Sequence, residues 1–198
     1  MSDAGIQIRG EPFSNAKCKF IIDRPVYEGR SYYFSNPGAA AGAPLAALLF
    51  AIPGITNVLI SHNEVTVSKG SLDDWPVIGR QVGQAIRQHL ASGQPAVTDQ
   101  LRAGLPSEDE IRASVERVLE TEINPWVGQH GGVVRLADVQ ENTVFLQMGG
   151  GCQGCGSATA TLRYGVETAI RAAVPAVGDV RDVTNHAAGK NPYYAAQR

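Results

Sequence analysis

The sequence is poor in cysteine, lacks an excess of charge of one sign and contains no long apolar run, and each lack excludes something. Its 198 residues include 3 cysteines, an odd number that does not read as a disulfide framework. A reducing compartment is the expectation. The formal charge is −2, with 8 basic and 8 acidic residues through residue 100, then 9 and 11 after it. A protein that binds phosphate backbones carries a basic face, so nucleic acid is not an expected partner. No run approaches the roughly 20 apolar residues that span a bilayer, so no membrane partner is expected either. Residues 1–13 show neither the apolar core of a secretory signal nor the arginine-rich, acid-poor character of a transit peptide. The expected location is cytoplasmic.

What is present falls into two stretches of folding signals, and the length allows two domains of roughly 100 residues each. Residues 6–9 and 18–22 read as strands. A helix is predicted over 43–52, with Pro44 in its first turn, Leu45, Leu48, Leu49 and Ile52 on one face, and Pro53-Gly54 as its stop. Two β-branched runs, 55–61 and 64–69, flank His62-Asn63 as a hairpin. Asp73 or Asp74 caps a helix that spaces Trp75, Ile78, Val82, Ile86 and Leu90 along one face. Residues 1–91 thus read as a small α+β domain whose apolar stripes are core. That half carries no chemical motif. Residues 92–106 contain two prolines, two glycines and no period, and are expected to be a flexible linker.

Residues 107–184 form the second expected domain. Ser107 and Glu110 fit a capping box, and Ile111, Val115, Val118, Leu119 and Ile123 follow on one helical face. Pro125 bends or ends this helix, and His130-Gly131-Gly132 ends any continuation. Residues 133–136 and 143–147 pair through Glu141-Asn142, a helix runs over 158–173, and a last short strand covers 180–183. Residues 185–198 have no period and are expected to be a mobile tail.

Between the second strand and the second helix lies Gly149-Gly150-Gly151-Cys152-Gln153-Gly154-Cys155-Gly156. Two thiols side by side at a helix start are favoured as thiolates by the unpaired backbone N–H groups and the helix dipole. Four chemistries use such a pair. A nucleotide loop matches G-x-G-x-x-G, but it requires a parallel βαβ unit with an acid roughly 20 residues on, and the preceding strands read as a hairpin. A thiol–disulfide oxidoreductase places C-x-x-C at a helix start, again in a βαβ context. Structural zinc requires four ligands, and Cys18, His62, His89, His130 and His186 offer no paired spacing. An iron–sulfur cluster commonly takes four thiolates, which two copies related by a two-fold axis would supply. Ligand counting puts the shared cluster first and leaves oxidoreductase and zinc open.

The stretch Glu122-Ile123-Asn124-Pro125-Trp126-Val127, then His130-Gly131-Gly132-Val133-Val134, Gly150 to Cys155 and Thr161 to Glu167, resembles the C-terminal domain of NifU, the Nfu family. The closing Asn191-Pro192-Tyr193-Tyr194 resembles the tail of bacterial Nfu-type carriers. Phe20, Ala43-Pro44-Leu45-Ala46, residues 49–55 and residues 65–69 resemble the separate N-terminal domain of mitochondrial and related bacterial Nfu proteins. The resemblance implies two small α+β domains, the second carrying C-x-x-C at a strand–loop–helix bend. It implies a carrier, not an enzyme, that binds a 4Fe–4S cluster in a homodimer through Cys152 and Cys155 of each chain. Such a carrier takes the cluster from an upstream scaffold protein and gives it to apo-proteins. Cys18 stands where that N-terminal domain more often has serine and is expected to be a buried small residue. His130 stands where many relatives have aspartate.

Overall fold

The computed structural model describes residues 5–150 and 156–184, with the side chains of 156–161 excepted. Cys152, Cys155 and the expected tail lie outside the described residues. The chain divides into two compact units, Met1–Leu105 and Pro106–Arg198. Both mix helices with antiparallel strands, the α+β class that the sequence predicts.

Unit 1 is a five-stranded antiparallel sheet with helices on one face. Its strands are β1 (Ile8–Pro12), β2 (Lys17–Ile22), β3 (Tyr32–Phe34), β4 (Ile55–Ser61) and β5 (Glu64–Lys69), in the order β1-β2-β5-β4-β3. The register aligns side chains into rows: Tyr32, Ile60, Val65 and Phe20 form one, and Phe34, Val58, Val67 and Cys18 the next. These rows are buried against Leu45 and Leu49 of α1 (Pro44–Phe50) and Ile78, Val82 and Ile86 of α2 (Trp75–Ser92). Each such side chain, fully buried, contributes roughly 1.5–3 kcal/mol of transfer free energy. The His62-Asn63 turn closes the β4–β5 hairpin, and the His62 carbonyl accepts the N–H groups of Val26 and Tyr27.

Residues 92–106, read as a linker, do not hang free in their first part. Ala96 and Val97 are buried in the core of unit 1, and Leu101 and Leu105 pack against it. The Thr98 N–H donates to the Gly42 carbonyl at 2.8 Å, and a short helix α3 (Asp99–Ala103) follows. Two small apolar residues between polar neighbours carry no period. Only the tertiary fold reveals that they are core.

His89 on α2 is 2% exposed, and its Nδ1 finds no hydrogen-bond partner among the described residues. Burial holds its imidazole below the ordinary pKa of 6.5, because the charged form would lose its hydration. The unfolded chain therefore binds a proton that the folded one refuses. The contribution of neutral His89 is complete above about 6.5 and is lost as pH falls through the folded pKa. Unit 1 is expected to melt at a lower temperature at about pH 5 than at about pH 7.5, and His89→Leu to flatten that slope. Thermal melts followed by Trp75 emission in a Trp126→Phe background check this. An unchanged slope in His89→Leu would refute it.

Unit 2 is a three-stranded sheet of β6 (Gly132–Gln140), β7 (Thr143–Gly150) and β8 (Val180–Asp182), packed against helices. α4 (Glu108–Val118) starts on the predicted capping box: the Glu110 N–H donates to Ser107 Oγ at 3.3 Å, and the Ser107 N–H donates to Glu110 Oε2 at 2.9 Å. Accepting from the Ser107 N–H, and from the Ser107 hydroxyl at 2.8 Å, holds the Glu110 carboxyl below its usual range. After α4 the helix does not stop. It widens into one π-turn, Leu119–Ile123, and resumes as α5 (Asn124–Gly128). Pro125 thus falls in the first turn of the resumed helix, where a missing N–H leaves no bond unmade. The widened turn also keeps Leu119, Ile123 and Val127 on the buried side, with Glu122 outside. α6 (Gly156–Ala173) adds Val166 and Ile170 to this core, beside Val144, Leu146 and Met148 of β7. No helix among the described residues is long and apolar enough to cross a membrane.

Candidate metal centre

The cysteine pair lies in the five residues between the end of β7 and the start of α6, and the β7 flank is fixed by the chain around it. At the open end of the β6–β7 hairpin Gly132 pairs with Gly150 and Val133 with Gly149. Gly150 has a left-handed φ of 62°, and a Cβ on it would lie 2.3 Å from the Gly131 carbonyl oxygen. Backbone meets backbone here with no space for a side chain. At Gly150 the glycine is a fixed backbone contact.

Two polar side chains, Asn124 and Thr184, hold the same end of the sheet. The Asn124 amide bridges α5 to the edge strand β6: its Nδ2 donates to the Val134 carbonyl at 2.9 Å, and its Oδ1 accepts the Val134 N–H at 2.8 Å. The Met148 N–H donates to Thr184 Oγ1 at 2.7 Å, and the Val183 N–H to the Leu146 carbonyl at 2.9 Å, so the segment after β8 clamps the last residues of β7. At the far end of α6, Arg171 donates to Glu167 Oε1 and to the carbonyls of Val177 and Gly178. Asn124 stands inside the motif block, but its bond to β6 carries no sequence signal, and Thr184 follows its strand without any pattern.

The start of α6 carries no acidic charge of its own. α6 is 18 residues long and carries no acidic residue in its first turn, in contrast to Glu108, Asp109 and Glu110 in the first turn of α4. The positive end of its dipole is therefore uncompensated by its own side chains. Cys18 is in the opposite condition. It is 2% exposed in the core of unit 1, and burial pushes its thiol up to about 11, so it stays protonated at neutral pH. It is the buried small residue expected. His130 is exposed after α5. Among the described residues no three His, Cys, Asp or Glu side chains gather as a metal site.

One expectation changes. β7 and β8 are parallel neighbours joined through α6, so the cysteine segment does sit in a βαβ unit. A β8 of three residues is too short for the sequence to show that pairing. The context demanded of a nucleotide loop or a thioredoxin-like pair is thus present. The acid at the second strand's end, Asp182, lies 28 residues beyond Gly154, and its Oδ1 accepts the Thr184 N–H at 2.9 Å. That spacing is long for a ribose-binding acid, expected about 20 residues on.

Known proteins decide the family. The NifU-like domain profile matches residues 115–181, and the profile described as "Scaffold protein Nfu/NifU N terminal" matches residues 6–93. A human protein named "NFU1 iron-sulfur cluster scaffold homolog, mitochondrial" is 34% identical over 182 residues, covering 90% of this chain and 71% of its own. The chain belongs to the NifU-like, or Nfu, family. The Arabidopsis thaliana relative "NifU-like protein 4, mitochondrial" is 32% identical over 173 residues, covering 83% of this Nfu chain. This chain spans only 61% of that relative, and 58% of the Drosophila sechellia protein that shares the human name. A solution structure of a NifU-like protein from Saccharomyces cerevisiae aligns with 48% of this chain and 86% of its own, at 19% identity and a TM-score of 0.43.

Proposed function

We propose that this Nfu protein is an iron–sulfur cluster carrier and not an enzyme. Cys152 and Cys155 of each of two copies ligate one 4Fe–4S cluster, the cargo. What supports this most is the position of the pair, between a strand end pinned at Gly150 and a helix start without acidic side chains. Relatives named for iron–sulfur scaffolding support the cargo. Two thiolates per chain leave a monomer short of ligands, and a two-fold dimer completes four. The cluster arrives from an upstream scaffold protein and leaves for apo-proteins by thiolate exchange at iron, with no net redox change. Unit 1 has folding signals without chemistry and serves partner recognition. Neither nucleic acid nor a membrane takes part. The cytoplasmic placement rests on the cysteine count alone, and the relatives above carry a mitochondrial location in their names.

Anaerobic reconstitution with iron and sulfide is expected to give a brown dimer with about one cluster per two chains, by the ligand count. Iron, sulfide and mass measured together check it. A cluster retained in a strict monomer would overturn the two-chain site. The βαβ context keeps thiol–disulfide exchange as a second reading, which wins if the protein reduces a disulfide substrate catalytically yet stays colourless with iron and sulfide. Stoichiometric zinc that iron and sulfide cannot displace would favour structural zinc instead.

A further inference from the structure

The helix-facing rows of unit 1 end abruptly at β1. Beyond Phe20 the first row ends in Gly10, where its other members are large, and beyond Cys18 the second ends in Pro12. The space that Gly10 leaves between β1 and α2 is an open groove of about 440 Å³ floored by Phe20 and Cys18, with Ile8 and Trp75 on its walls.

Two glycines of α2, Gly79 and Gly83, also face this groove. Inside an 18-residue helix glycine is less stable than alanine. The fold does not demand it: a Cβ on Gly79 or Gly10 would meet the Phe20 ring at 3.6 or 3.5 Å, ordinary contact, and neither backbone is left-handed. A Cβ on Gly83 would meet only the movable end of Arg87, at 3.2 Å. The groove is held open where the chain could have filled it.

The rim is cationic, and the adjoining strand edge has no strand paired to it among the described residues. Arg80 and Arg87 line the groove two turns apart, and neither pairs with a carboxylate among the described residues. Arg87 Nε donates only to the Ile6 carbonyl, at 3.3 Å. β1 is the outer strand of the sheet. The Ile22 N–H donates to the Asn63 carbonyl, and Ile22 pairs with Ile8, so the main-chain groups of Ile22 turn from β1 and those of Ile8 turn outward. By the same alternation Gly10 presents its N–H and carbonyl to the open edge.

We propose that this edge and groove bind an extended segment of a partner protein, with one apolar residue flanked two positions away on each side by carboxylates. Its main chain pairs with Ile8 and Gly10. Its apolar side chain passes Gly10 and Gly79 to lie over Phe20, and its carboxylates meet Arg80 and Arg87. Residues seven apart on a helix are separated by about 10.5 Å along its axis, and strand positions four apart by roughly 13–14 Å, a mismatch that arginine side chains span. This role assumes that unit 1 recognises partners, but its test needs no iron, so the two can fail separately.

The test uses the full-length apo-protein carrying Trp126→Phe and two blocked peptides, TETLTET and TKTLTKT. The acidic peptide is expected to change Trp75 emission, to slow amide exchange at Ile8 and Gly10, and to bind at least about tenfold more tightly than the basic one. Arg80→Glu with Arg87→Glu is expected to reverse that preference. Failure of both peptides, or equal binding, overturns the proposal. So does a Trp75 response to octanoate without protection of Ile8 and Gly10, which assigns the groove to small carboxylates. Concentration-dependent protection of that edge without peptide would assign it to a second copy and overturns it equally.

Discussion

Cys152→Ser and Cys155→Ser are each expected to leave the protein colourless after anaerobic reconstitution, and Cys18→Ser to leave it brown. Because the proposed site draws two thiolates from each of two chains, one substitution in the gene removes two of four ligands. A serine hydroxyl is not deprotonated at neutral pH, whereas cysteine thiols next to a helix N-terminus are in general easier to ionise, and the first turn of α6 holds no acidic residue to oppose this. Cys18 fails on both position and protonation: it lies in unit 1, and its buried thiol titrates at about 11. The measurement is bound iron and sulfide per chain, with the visible spectrum, for the parent and the three variants. Retention of a full cluster by either of the first two would remove that cysteine from the site, and its loss from a folded Cys18→Ser would bring Cys18 into it. The two classes of substitution are expected to differ by the whole cluster content.

Local signals in the sequence carried through to the structure, and longer-range ones did not. The Ser107–Glu110 box spans four residues and is found bond for bond. The hairpin turns at His62-Asn63 and Glu141-Asn142 likewise need only neighbours. β1 shows the limit. Residues 6–9 alternate and read as strand, yet the strand is Ile8–Pro12, containing Gly10, Glu11 and Pro12, all weak strand formers. Pairing with β2 overrides their propensity, and Pro12 is tolerated because β1 is an edge. The cap of α2 is similar in kind: Asp74 holds the N-cap position without a side-chain bond, and Pro76 sets the first turn. At the candidate site the C-x-x-C spacing was legible. Its supports were not, since Asn124 meets β6 ten residues on and Thr184 meets β7 thirty-six residues back.

Gly150→Ala is expected to destabilise unit 2 far more than Gly93→Ala destabilises unit 1, although the two glycines have nearly the same φ, 62° and 68°. Gly93 ends α2 in open space, with nothing within 4 Å of an added Cβ, so alanine there bears only the left-handed backbone penalty of roughly 1–2 kcal/mol. At Gly150 the same penalty applies, and the Cβ also falls 2.3 Å from the Gly131 oxygen, a backbone atom that no rotamer change can move. The hairpin end must open, and the Gly132–Gly150 pairing goes with it. A loss of about 3 kcal/mol is expected, which for a unit of this size lowers Tm by roughly 12–24 °C. Each unit holds one tryptophan, Trp75 or Trp126, so Phe replacement of either makes emission report the other unit alone. Equal shifts in the two units would show that left-handed φ accounts for everything and that the contact at Gly131 is soft. If the larger shift appears, Gly150→Ala should also weaken cluster retention without touching a ligand, because it moves the strand end from which the Cys152 segment departs.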